Sequence, residues 1–203
     1  MQNYTVLLGS GFVVVVLVAI HLMMRKAQRN RDDQLAEVTA RLDKRAEKRA
    51  AAARNLKMIE WEDAYAVDWG VIDNDHKTLF KLINKFNRNV PHFRSPEEMV
   101  PYIESLRKYT QSHFKREEML QEKVGYSFHE DHKGEHAALI EKLDGLAAVA
   151  MRANDDTITD AAMDLGSFLA DWLTTHVIEN DLPMHPYLDR MREYAKKLRA
   201  LEE

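Results

Sequence analysis

The chain has 203 residues, 45% of them apolar, and a net charge of -4, which describes a foldable globular domain with an appendage and excludes a mainly disordered chain. It contains no cysteine, so disulfides, thiolate zinc sites, cysteine-ligated iron-sulfur clusters and a cysteine nucleophile are excluded together. Charge is unevenly spread: residues 25–57 carry eleven Lys/Arg against five Asp/Glu and the remainder eighteen against twenty-eight, a basic stretch without the aromatic interleaving of a nucleic-acid surface.

Residues 4–24 have no formal charge and centre on Val13-Val14-Val15-Val16-Leu17-Val18. That is about the ~20 residues a helix needs to cross a bilayer. No basic residue precedes the run and no small-x-small cleavage site follows it, so residues 1–24 read as a transmembrane anchor rather than a removed leader. Arg25, Lys26, Arg29 and Arg31 come next, and the positive-inside rule then puts the rest of the chain in the cytoplasm, below the inner membrane. Residues 25–57 lack Gly and Pro and are rich in Ala, Arg, Lys and Glu, which predicts one long charged helical linker. Its stripe of Leu35, Val38, Leu42, Ala46, Ala50, Ala53 and Leu56 fits either a weak dimer contact or a solvated spacer.

Residues 58–203 read as helices between short punctuated turns. The first runs from about Asp73 to Val90, ahead of Pro91. Ser95-Pro96-Glu97-Glu98 has the form of a capping box and opens the second, which Gly125 stops. Ser127 with Glu130 repeats the box and opens the third, to about Met151. Asp155-Asp156-Thr157 opens the fourth, to about Asn180, and a final amphipathic helix spans about 184–201. No segment alternates with period two, so the expected fold is all-α, an up-down four-helix bundle behind an anchor and linker.

Nine histidines are present, seven of them between His76 and His176. His113 and Glu117 are four apart, as are His132 and His136, which puts each pair on one face of its helix. His76 lies in the first helix and His176, followed by Asp181, ends the fourth. A five-residue step turns Asp181 away from His176 on a regular helix, and the expectation is that Leu182-Pro183 breaks the helix and swings it back. Any one of these residues alone is an ordinary surface or core side chain. Five imidazoles and two carboxylates converging at one level of a bundle are too costly to bury without metal. Imidazole and carboxylate without sulfur suit iron, manganese or zinc. His129 is expected in an outer role, Glu179 is a rival for the place of Asp181, and Glu118, His92 and His185 read as surface residues.

The segments Ile59-Glu60-Trp61, Ile72-Asp73-Asn74-Asp75-His76-Lys77-Thr78-Leu79-Phe80, His113-Phe114-Lys115-Arg116-Glu117-Glu118, His132-Lys133-Gly134-Glu135-His136 and Trp172-Leu173-Thr174-Thr175-His176 with Asp181 resemble the hemerythrins, in particular the bacterial hemerythrin-like domains. The resemblance implies two non-haem iron ions with a bridging oxo or hydroxo group, one held by His132, His136 and His176 and the other by His76 and His113, with Glu117 and Asp181 between them. It also implies dioxygen bound at the two-histidine iron, beside a pocket of Leu173, Trp172 and Trp61. On this reading the protein is an oxygen carrier or store and not an enzyme, its partners being dioxygen, the lipid bilayer and a membrane enzyme. A sensor acting through the linker and a di-iron peroxidase or nitric-oxide-handling enzyme are the alternatives.

Overall fold

A computed structural model describes the backbone of residues 5–202 and the side chains of residues 14–194, 196 and 197. Six α-helices follow in chain order: α1 (Thr5–Asn55), α2 (Val71–Asn89), α3 (Val100–Val124), α4 (His129–Ala150), α5 (Ile158–His176) and α6 (Leu188–Glu202). No strand occurs among the described residues. α2 packs on α3, α3 on α4, α4 on α5 and α5 back on α2, so four antiparallel helices close a bundle, and α6 lies against α3. The core runs along the bundle axis through Leu79, Ile83 and Phe86 of α2, Leu106 and Phe114 of α3, Leu143 of α4, and Leu165, Leu169 and Leu173 of α5.

The chain divides into two compact units, residues 1–47 and 48–203. The second begins inside α1, because Ala52 and Leu56 are buried in the bundle core and Lys48 pairs with Asp160. No helix among the described residues is long and apolar enough to cross a membrane. Of the anchor expected at residues 4–24, the side chains of residues 4–13 lie outside the described residues, and residues 14–24 alone are too short for a crossing.

Several local expectations meet a different physical solution. Ser95 opens only a 3-10 turn, Pro96–Met99, before α3 begins, and Glu98 accepts the backbone N–H of Arg94 at 2.9 Å instead of closing a box on Ser95. Ser127 does not cap α4; its hydroxyl lies 2.8 Å from the Tyr187 hydroxyl, and Phe128 occupies the cap position. Ahead of α5, the side chain of Asn154 accepts the N–H of Asp156 at 2.9 Å and of Thr157 at 3.2 Å, a capping role that sequence reading gave to the residues after it. Gly125 does end α3, in the left-handed region at φ 66°, with Gly125 N–H on Glu122 O and Tyr126 N–H on Gln121 O as in a Schellman motif.

The turn after α5 matters most for the site. Residues Val177–Asp181 form a π-helical turn, and the N–H of Leu182 donates to Val177 O five residues back. Leu182 keeps helical angles (φ -57°, ψ -32°), so Pro183 does not swing Asp181 inward as expected. The wider turn does it instead: with five residues to a hydrogen-bonded ring step where an α-helix has four, Asp181 comes back onto the face of His176.

Candidate metal centre

Each helix of the bundle delivers its part by a local rule. On α3 and α4 the four-residue spacing stacks Glu117 over His113 and His136 over His132. α2 is anchored just before His76 by two buried acids: Asp68 accepts the N–H of Gly70 at 2.7 Å and of Asp73 at 3.1 Å, and Asp73 accepts those of Val67 and Trp69, each at 2.7 Å. This latch holds Trp69 at φ 54°, a left-handed angle that an exposed tryptophan adopts only when its surroundings impose it. α5 and its π turn supply His176 and Asp181.

All seven side chains converge, and all are buried. Glu117, His132, His136 and His176 can each offer one ligand atom within 4.8 Å of one another, and so can His76, His113 and Glu117. In the first group Nε2 of His136 lies 3.0 Å from Nε2 of His132 and 3.1 Å from Nε2 of His176. Both carboxylates reach across the two groups. Glu117 Oε1 is 3.1 Å from His132 Nε2, and its Oε2 is 3.3 Å from His113 Nε2. Asp181 Oδ1 is 3.2 Å from His132 Nε2 and 3.3 Å from His176 Nε2, while Oδ2 is 3.1 Å from His76 Nε2. The donors thus divide into three nitrogens on one side and two on the other, with a carboxylate oxygen of each acid facing both.

A metal pair fits these residues on grounds internal to the site. Both ring nitrogens of His76 and of His113, Oε2 of Glu117 and both oxygens of Asp181 are buried without a hydrogen bond, a density of orphaned polar atoms that an apolar interior does not tolerate. Imidazole nitrogens 3.0 Å apart cannot both carry protons, so at least one of them presents its lone pair to the site as a metal ligand does.

The comparisons with known proteins point to a cation-binding domain. The Hemerythrin HHE cation binding domain family matches residues 68–188, more than half of the chain and a span that contains all seven side chains. The chain belongs to the hemerythrin family. It is 30% identical over 140 residues to the bacteriohemerythrin of Pseudomonas aeruginosa (strain LESB58), covering 69% of this chain and 86% of that one. It is 27% identical over 127 residues to the bacteriohemerythrin of Clostridium acetobutylicum, covering 61% and 96%, and 28% identical over 134 residues to that of Methylococcus capsulatus, covering 66% and 98%.

Around the hemerythrin donor set lies a ring of supporting groups, several of which sequence reading missed. Glu118, expected in solvent, has Oε1 2.9 Å from His136 Nδ1, so it accepts that proton and leaves Nε2 free to face inward. The Asn180 amide lies 3.1 Å from His176 Nδ1. Gln121, four residues after Glu117, donates to Glu117 Oε1 at 3.1 Å, and its own Oε1 is 3.1 Å from Nδ1 of His129. His129 therefore stands one group removed from the centre. The Phe114 ring stacks on His136 at 3.6 Å between centroids. Glu179 and His92 are exposed, whereas the exposed His185 still places Nε2 2.6 Å from Ala66 O. Of the expected pocket residues, Leu173 and Trp172 are buried, and Trp61 is half-buried with its ring 6.3 Å from that of His76.

Proton affinities in the metal-free cluster follow burial and pairing. Burial lowers His132, but Asp181 and Glu117 outweigh it and hold its pKa at about 10. His76 is also burdened by burial and raised overall by Asp181. Burial depresses His113, His136 and His176, and neighbouring histidines lower all three further. Burial and Asp181 raise Glu117, whereas His176, His132 and His76 overcome burial and keep Asp181 well below the usual carboxylate range.

Proposed function

We propose that this hemerythrin binds dioxygen reversibly at a pair of non-haem iron ions, as a carrier or local store held at a membrane by residues 4–24. The observation that carries the reading is the unequal division of the donors, with His132, His136 and His176 on one side, His76 and His113 on the other, and Glu117 and Asp181 facing both. His132, His136 and His176 would hold one ion and His76 and His113 the other, with Glu117 and Asp181 shared between them. The two-histidine side, with one nitrogen donor fewer, would be the side with room for a small ligand. A pair of iron ions held there would supply the two electrons that reversible dioxygen binding needs.

The protein's own part is to orient and to keep dry. Glu118 fixes the His136 ring with its lone pair inward, and Gln121 holds Glu117 from behind. Trp172 lies against His176, Phe114 against His136 and His113, and Trp61 with Phe80 beside His76, with Lys77 Nζ 4.8 Å over the Trp61 ring, and Leu173 is fully buried in the same core. Exclusion of water slows both loss of the ligand and oxidation of the reduced pair.

Membrane attachment rests on the uncharged run at residues 4–24 followed by Arg25, Lys26, Arg29 and Arg31, with Val14, Val15, Leu17, Val18, Ile20 and Leu22 exposed. This orientation puts the bundle on the cytoplasmic face, where it would deliver dioxygen to a membrane enzyme or lower its free concentration.

The test is an optical spectrum of the iron-loaded protein, taken reduced, after air and after vacuum. A charge-transfer band that comes with air, leaves under vacuum and corresponds to one dioxygen per two irons supports the carrier, and His113→Ala should abolish it. Many turnovers of peroxide or nitric oxide per site would replace the carrier with an enzyme. A partner bound in one redox state alone would replace it with a sensor. For the anchor, deletion of residues 1–24 should move the protein from the membrane pellet to the soluble fraction; an unchanged distribution rejects it.

A further inference from the structure

Behind the two-histidine half of the centre lies a bonded cluster that the donor set itself does not require. Asp75, buried on α2, accepts the Tyr109 hydroxyl proton on Oδ1 at 2.8 Å and the Arg116 Nε–H on Oδ2 at 2.7 Å, both donors coming from α3. The same Oδ2 lies 3.6 Å from Nδ1 of His113, one small rotation outside hydrogen-bond range. That nitrogen is buried and otherwise unsatisfied. The two halves of the centre are therefore backed differently. Glu118 bonds His136 directly at 2.9 Å, whereas Asp75 is shared between His113 and a guanidinium whose side chain is 37% exposed.

We propose, resting on the di-iron reading above, that Asp75 is the positioning residue of the His76/His113 half and that Arg116 sets how strongly that half holds its metal. A carboxylate behind an imidazole Nδ1–H fixes the tautomer, so that Nε2 keeps its lone pair inward, and makes the ring a stronger donor. Arg116 draws on the same oxygen and offsets part of the negative charge that His113 would feel. Tyr109, bonded to the other oxygen, stops the carboxylate from rotating away. The two neighbours of Asp75 thus act in opposite directions: loss of the acid weakens the two-histidine half, and loss of the cation strengthens it.

The experiment titrates the metal-free full chain with Co(II) against a competing chelator and then measures the midpoint potential of the iron-loaded form. Wild type should take two equivalents; fewer than two overturns the di-iron reading itself, before this refinement is reached. Asp75→Asn should keep the first equivalent and weaken the second by about 10–100-fold. Arg116→Gln should tighten the second equivalent several-fold and move the midpoint potential to lower values, with Asp75→Asn moving it to higher ones. Opposite signs are the signature, since a merely structural role shifts both variants the same way. Shifts of one sign, or a loss in Asp75→Asn spread equally over both equivalents, overturn the proposal. Where Asp75→Asn does not fold, the exposed Arg116→Gln decides alone: tightening supports the assignment and weakening overturns it.

Discussion

At Gly166 one methyl group decides whether α5 can approach α2. A Cβ there would collide with the Asn87 side-chain oxygen and press on Leu56 at 3.2 Å. Asn87 cannot easily yield, because its amide donates to Lys57 O at 3.0 Å and so joins the end of α1 to α2. Gly166→Ala should therefore cost about 1–3 kcal/mol by overpacking, seen as a melting temperature lower by several degrees at unchanged metal stoichiometry; an unchanged melting point would mean that the helices separate freely. Gly125 makes the contrasting case. Nothing lies within 4 Å of a Cβ added to it, yet its φ is 66°. Gly125→Ala should cost about 1 kcal/mol from backbone strain alone, with no change in packing detectable by near-ultraviolet dichroism.

At the scale of elements, the π-helical turn at Val177–Asp181 is what brings Asp181 within reach of histidines of both groups, His132 and His176 on one side and His76 on the other. One alanine inserted between Ile178 and Glu179, both exposed, rotates Asp181 by about 100° and should reduce metal uptake from two equivalents to one or none. Retention of two would show that the chain re-registers around the site. The same turn marks where sequence stops being legible. The four-residue pairs His113/Glu117 and His132/His136 announce their own convergence, because the α-helical period is fixed and short. The bundle is likewise legible from Pro91 and Gly125, which punctuate helices by steric rules. A π turn has no such residue signature; Pro183 pointed to a break, and the structure used a wider helix. Glu118 and Asp75 were missed for a related reason. Each neighbours a donor residue in sequence but serves a histidine on another helix, Glu118 of α3 backing His136 of α4 and Asp75 of α2 backing His113 of α3. Such pairs exist only after packing, and spacing along one helix cannot reveal them.

For the whole molecule, the cluster of buried donors couples metal binding to proton release and to stability. In the metal-free fold His132 has its pKa raised to about 10 by Asp181 and Glu117, against 6.5 for an unperturbed histidine. The sign follows directly. This ion pairing stabilises the metal-free fold fully below about pH 6.5 and is lost as pH rises through about 10. A metal ion takes the place of that proton on Nε2, so binding below pH 10 must expel it. Metal affinity should then rise at least about tenfold per pH unit between pH 7 and 9 for the proton on His132, the raised His76 adding to that slope and His113, His136 and His176, already neutral, adding nothing. Two consequences can be measured together with Zn(II), which has no redox chemistry to confuse them. Calorimetry in buffers of different ionisation enthalpy at pH 8 should count at least one proton released on loading. The gap between the melting temperatures of metal-loaded and chelator-stripped protein, about 10 °C at a thousandfold excess over the dissociation constant, should widen from pH 7 to pH 9. The stability that this ion pair lends the metal-free fold over the unfolded chain falls over that range, although His132 stays protonated, while the loaded form does not depend on it. A gap that narrows with pH, or loading without proton release, would mean that His132 does not hold the proton its neighbours draw to it and that the carboxylates face elsewhere in solution.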